Sequence, residues 1–327
     1  MNSCKLTTLL VSLFLLSIFS GCRNSNEKDK SQSGLNQLTI FHAGSLSMPV
    51  KEIVEAFTTT HPEVKILTES AGSVACARKI TDLKKPCDVF LSADYQVIDN
   101  FLIPHFASWN LKFASNEMAL VYTEKSKYSK AITAKNWPEI LLKEDVFYGR
   151  SDPNSDPCGY RTVFTLQLAG KYFAKPNLAE QILKKDQRFI RPKEVDLIAM
   201  LQTNAIDYIF IYRSVAVQHQ LPFIILADSV NLGNPELAKW YSTVSAEING
   251  NKPDETITQT GEPMVYGLTV PANSPNPKLA LKFVEFLLSS GNGMKIMIKN
   301  GQPSVIPSFT STFSKLPETI KPFASPK

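Results

Sequence analysis

Residues 37–57, QLTIFHAGSLSMPVKEIVEAF, pass from a strand through a small-residue turn into a helix. Gln37 to Ala43 reads as a short strand, and Gly44-Ser45 ends it. Val50, Ile53, Val54 and Phe57 then fall on one face of a helical pattern, which His61-Pro62 stops. The pattern recurs at once. Glu63 to Glu69 is a second strand, Ser70-Ala71-Gly72-Ser73 ends it, and Val74 to Leu83 is the next helix. Asp88 to Ser92 is a third strand, followed by Ala93-Asp94-Tyr95 and another helix. Strand, turn and helix in this order predict an α/β fold with mainly parallel sheets flanked by helices. Ligands on such sheets bind beyond the carboxyl ends of the strands.

The same alternation continues through Met118 to Thr123, Val146 to Gly149, a helix after Tyr160, Glu194 to Leu201, Asp207 to Tyr212 and Met264 to Val270. A strongly amphipathic helix follows at Leu279 to Leu288. Two lobes are expected, 37–115 and 116–267, with 268–327 returning to the first. About 300 residues suffice for two cores. Lys5, an apolar run from Leu6 to Phe19, and Ser20-Gly21-Cys22 describe a secretory signal over 1–21, too short to span a bilayer. Cys22 resembles a lipoprotein processing site, so lipidation of Cys22 is expected, with 22–36 a polar tether. The chain is therefore expected to be exported to a periplasm or cell surface and held at a membrane by lipid.

The formal charge of +5, without a basic cluster, argues against nucleic acid. Of the five Cys, Cys76, Cys87 and Cys158 lie beyond the anchor. There is no C-x-x-C or Cys/His ligand spacing, which argues against zinc. A Cys76–Cys87 disulfide and a pair of buried thiols are both open.

Two turns share Ala-Gly-Ser, at 43–45 and 71–73, each between a strand and a helix. Glycine lets a backbone come close, and the following N–H groups and Ser hydroxyl sit at a helix N-terminus, where partial positive charge gathers. Two such turns on adjacent parallel strands converge into an anion site without Lys or Arg. A third feature is Asp156-Pro157-Cys158-Gly159-Tyr160-Arg161, a stiff turn that puts one carboxylate at the mouth of a helix. Taken alone, Asp156 reads as a helix cap.

These segments, with Asn136-Trp137 and Asp207 to Tyr212, resemble the tungstate/molybdate-binding proteins of ABC importers, in the branch typified by archaeal tungstate-binding proteins. The resemblance covers about Leu38 to Pro303. It implies a two-lobed periplasmic-binding-protein (type II) fold that closes on its ligand like a clamshell. It implies a ligand, tungstate or molybdate, with no further cofactor and no catalysis. An ABC permease and its ATPase subunits are the implied partners, and a monomer is expected. Carried over, the metal of the oxyanion would be held by Asp156 and Glu194, and its oxo groups by Ser45, Ser73 and Tyr212. Asp196 competes with Glu194, since on a helix the two side chains point about 200° apart and only one can face a cleft. Arg161 is expected to pair with a nearby acid, and Cys158 and His42 to be structural. A receptor for sulfate or phosphate, and a hydrolase using paired carboxylates, are the alternatives.

Overall fold

The computed structural model describes residues 36–326 except 186, 251 and 253. The expected signal segment, Cys22 and most of the tether lie outside the described residues. In chain order the strands are β1 (Gln37–Ala43), β2 (Lys65–Ala71), β3 (Val89–Ser92), β4 (Leu111–Ser115), β5 (Met118–Tyr122), β6 (Tyr148–Ser151), β7 (Ile190–Arg191) and β8 (Tyr208–Tyr212). They continue with β9 (Phe223–Ile225), β10 (Ser245–Asn249), β11 (Thr256–Thr260), β12 (Val265–Thr269), β13 (Ser308–Phe309) and β14 (Ala324–Ser325).

Two five-stranded sheets organise the chain, in the orders β2-β1-β3-β12-β4 and β7-β6-β8-β5-β9. They form the cores of two α/β lobes. Sequence patterning suggests mainly parallel sheets; each is instead half antiparallel. In lobe 1, β1 pairs in parallel with β2 and β3, whereas β12 pairs antiparallel with β3 and β4. In lobe 2, β6 pairs in parallel with β7 and β8, and β5 runs antiparallel to β8 and β9. The antiparallel partners are the strands by which the chain leaves one lobe and enters the other, so they arrive from the opposite end.

The return to lobe 1 comes with β12 itself, so the expected break after residue 267 falls inside a strand. The two crossings, β4 to β5 and β11 to β12, touch where the Asn116 N–H donates to Met264 O at 3.3 Å. The antiparallel β10–β11 hairpin has no counterpart in the sequence reading. It packs on the Pro157–Tyr172 helix, with Gln167 Nε2 donating to Ser245 O at 3.0 Å. Among the described residues no helix is long and apolar enough to cross a membrane.

The last helices seat on the first. In the Ser47–Thr60 helix, Val50, Ile53 and Phe57 are buried, as their spacing dictates. Phe57 meets Phe283 and Phe286 of the Pro277–Leu288 helix edge-on, with centroids 5.3 and 5.4 Å apart, and stacks on His61 at 4.2 Å. Phe57→Ala should therefore destabilise the protein by about 3–5 kcal/mol in urea unfolding monitored by circular dichroism. A loss below about 1 kcal/mol would show that this contact does not hold the C-terminal segment to lobe 1.

Candidate functional site

The strand ends supply the site. Ser45 follows β1, Ser73 follows β2, Asp156 follows β6, Glu194 follows β7, and Tyr212 is the last residue of β8. All five sit at the carboxyl ends of parallel-paired strands, and all are buried. The first two belong to lobe 1 and the other three to lobe 2, so the site forms where the lobes meet.

Asp156 caps the Pro157–Tyr172 helix, as its sequence context suggests. Its Oδ1 accepts from the Cys158 N–H at 3.1 Å, while Oδ2 accepts from the Glu194 N–H at 2.9 Å. The second bond ties the Glu194 segment to the cap. Glu194 lies in the turn before the Asp196–Gln202 helix rather than within it, because that helix starts two residues later than its apolar pattern suggests. Glu194 is 1% exposed. Asp196, at the helix start, has its side chain 38% exposed and stands 3.5 Å from Lys193. Only Glu194 faces the cleft.

Neither Glu194 carboxylate oxygen has a hydrogen bond of good geometry, although the Ser45 N–H lies nearby. Burial, with the Asp156 carboxylate beside it, pushes the Glu194 carboxyl well above the usual range. Burial raises Asp156 too, but its backbone donors favour its charged form. Burial and mutual repulsion thus raise both carboxyls, and the pair titrates as a unit that holds a proton above the ordinary carboxylate range.

The twin Ala-Gly-Ser turns have a role that local sequence does not show. A Cβ on Gly44 would lie 2.8 Å from Glu194 Oε2. One on Gly72 would lie 2.2 Å from Ser155 O and 2.9 Å from Asp156 Cβ. Each glycine therefore receives one of the two carboxylate segments of the opposite lobe. The Ala75 N–H completes the second contact by donating to Ser155 O at 3.1 Å.

The hydroxyls have fixed polarity. Ser45 Oγ accepts from the Tyr266 hydroxyl at 3.1 Å, and Tyr266 Oη accepts from Asn116 Nδ2 at 2.8 Å. Ser73 Oγ accepts from the Ala93 N–H at 2.9 Å. Tyr212 Oη accepts from Arg161 Nη1 at 3.1 Å. Each O–H proton is left to donate elsewhere. Sequence reasoning missed Tyr266, Asn116 and Ser151, whose buried Oγ lies beside Asp156 without a good hydrogen bond. Tyr266 and Asn116 act from distant parts of the chain, which no local pattern marks, whereas Ser151 stands five residues before Asp156 at the end of β6.

Cys158 is buried, with its thiol donating to Phe210 O at 3.7 Å and pushed well above its ordinary range by burial. Its expected structural role fits this inert setting. His42 is buried, its Nδ1 2.8 Å from Ala43 O, and burial lowers its pKa. Cys76 and Cys87 are free, buried thiols. A groove of about 580 Å³ lined by Gln167, Lys171, Thr243 and Ser245 contains none of the candidate residues.

Two α/β lobes closing on a polar, partly anionic site define a two-lobed solute-binding protein. The chain belongs to the bacterial extracellular solute-binding protein family, whose model matches residues 38–301. A solute-binding protein of Petrotoga mobilis is 45% identical, covering 88% of this chain and 89% of its own. A protein of Thermococcus kodakarensis named molybdate/tungstate-binding protein WtpA is 38% identical, covering 97% and 96%. Among solved structures, the periplasmic molybdate-binding protein of Azotobacter vinelandii superposes with a TM-score of 0.60 at 15% identity, covering 83% of this chain and 99% of its own. The sulfate-binding protein SubI of Mycobacterium tuberculosis gives 0.58 at 13%, covering 83% and 88%. These two share the fold.

Two outcomes follow from the geometry. Because the folded protein holds a proton that the unfolded chain releases near pH 4, stability of the dialysed protein should fall as pH rises from the ordinary carboxylate range through the raised pKa of the pair. Thermal melts between pH 4 and 8 should show this slope, to which Glu262, pushed up to about 7 by burial, adds, and Glu194→Gln should reduce it to the remainder. An unchanged slope in that variant would place the proton elsewhere. Gly72→Ala, in turn, should leave circular dichroism unchanged but hold the lobes apart, raising the radius of gyration in X-ray scattering. A compact variant would mean that the Ser155 contact yields easily.

Proposed function

We propose that the protein captures tungstate or molybdate between its lobes and delivers it to a membrane permease driven by an ATPase. The observation that carries this reading is Glu194, a buried carboxylate without good donors, set beside Asp156 among the hydroxyls of Ser45, Ser73 and Tyr212. A receptor working by hydrogen bonds alone would gain little from it, because keeping a second buried carboxyl beside Asp156 costs desolvation and mutual repulsion that only a cation or Lewis acid at its oxygens offsets. Molybdenum(VI) and tungsten(VI) are hard Lewis acids that take oxygen ligands and expand beyond four-coordination, which sulfur and phosphorus in their oxyanions do not. Asp156 and Glu194 as metal ligands therefore favour the right oxyanion and repel the wrong ones. The hydroxyl protons of Ser45, Ser73 and Tyr212 then meet the oxo groups. The relative named for molybdate and tungstate, matched over nearly its whole length, supports the same reading.

In this reading the protein is a monomer without resident cofactor or catalysis. It is exported after loss of 1–21 and anchored by lipid on Cys22.

Calorimetry on the domain from residue 37 onward tests the mechanism. Tungstate and molybdate should bind at one tight site, with sulfate and phosphate weaker by about 30-fold to several thousandfold, the scale expected when a charged group is left buried without its partner. Asp156→Ala and Glu194→Ala should each weaken tungstate binding, whereas Asp196→Ala should not. Equal affinity for sulfate would overturn the coordination by carboxylates.

A further inference from the structure

We propose that Arg161 is the positioning residue of this cleft, a clasp that holds the lobes together and sets the direction of the tyrosine hydroxyl; this rests on the cleft being the oxyanion site. Arg161 lies one turn into the Pro157–Tyr172 helix of lobe 2 and is buried. Its guanidinium reaches across to the Ala93-Asp94 turn that follows β3 of lobe 1. Nη1 donates to Ala93 O at 2.7 Å, and Nη2 stands 3.2 Å from Asp94 Oδ2, with both side chains 3% exposed. The same Nη1 donates to Tyr212 Oη at 3.1 Å. Nη1 thus hydrogen-bonds a carbonyl and a phenol, while Nη2 meets the carboxylate by charge without hydrogen-bond geometry, a spread that an ammonium group could not match.

Asp94 is a prepared partner. Its Oδ1 accepts from the Gln96 N–H at 2.9 Å, which fixes the turn, and its Oδ2 also accepts from the Tyr160 hydroxyl at 2.6 Å. Consecutive residues of lobe 2, Tyr160 and Arg161, therefore grip one carboxylate of lobe 1. The Ala93 residue is engaged on both sides, with its N–H on Ser73 Oγ and its C=O on Arg161. A single residue of lobe 1 thereby links a ligand serine of that lobe to a ligand tyrosine of the other. The contacts that set the two hydroxyls lie within the lobes, Ser73 with Ala93 in lobe 1 and Tyr212 with Arg161 in lobe 2, and closure joins them through the Arg161 bond to Ala93 O.

A buried ion pair gains little over its desolvation cost, yet removing one partner is severe because a charge stays buried alone. The clasp thus makes the closed arrangement specific more than it makes it stable.

The test combines binding with a distance between lobes. Spin labels at Leu83→Cys in lobe 1 and Tyr172→Cys in lobe 2, both exposed side chains, report opening by pulsed electron paramagnetic resonance. Tungstate affinity and dissociation rate are read by calorimetry and stopped flow for Arg161→Lys, Asp94→Asn and the double variant. Each single variant should weaken binding by about 30-fold or more, mainly through faster dissociation. The double variant should be about as weak as the weaker single one, since both changes remove one interaction. The label distance should lengthen in each variant, with and without tungstate. Additive losses, an unchanged dissociation rate or an unchanged distance would overturn the clasp. If Arg161→Lys fails to fold, the neutral pair Asp94→Asn/Arg161→Gln carries the same measurements. Absence of tungstate binding in the parent protein would sink the oxyanion reading, and the label distances would still decide the clasp.

Discussion

A carboxylate sealed from water without good donors is the constraint around which this molecule is arranged. Glu194 would cost little at the surface, as Asp196 shows two residues on. Buried beside Asp156, it is tolerated only as a neutral acid or with a Lewis acid at its oxygens. The rest of the cleft follows from keeping it there. The Asp156 cap holds the Glu194 backbone, and Gly44 gives its carboxylate room against lobe 1. Gly72 lets the loop before Asp156 touch the neighbouring turn.

The hydroxyls complement this. Ser45, Ser73 and Tyr212 each have an acceptor site filled by a donor from outside the cleft: Tyr266, the Ala93 N–H and Arg161. A hydroxyl that already accepts is oriented to donate, without the cost of choosing between roles when a ligand arrives. The cleft therefore offers protons at three points and carboxylate oxygens at two others. Such a mixed set suits a ligand whose outer atoms are bases and whose centre is an acid.

What the sequence revealed was local. The two Ala-Gly-Ser turns and the Asp156 cap could be read because strand, turn and helix periods follow one another along the chain. Glu194 was harder, since the apolar rhythm of 194–201 does not show that the helix begins only at Asp196. The mixed sheets escaped notice because strand direction depends on where the chain crosses between lobes, which no local pattern encodes. Tyr266 on Ser45, and Arg161 on Ala93 and Tyr212, join residues far apart in the chain. Arg161 pairs with an acid, as its surroundings suggested, but the acid is in the other lobe.

The place of β12 in the first sheet bears on how the chain is made. It lies between β3 and β4, yet is read from residues 265–269, long after both neighbours. All of lobe 2 is synthesised in between. Until β12 emerges, β3 and β4 each carry an unpaired edge, and β4 has no strand to join it to the rest of its sheet. Lobe 2 is one continuous run and can assemble first. Lobe 1 must wait with a gap in its middle until residues 265–269 arrive.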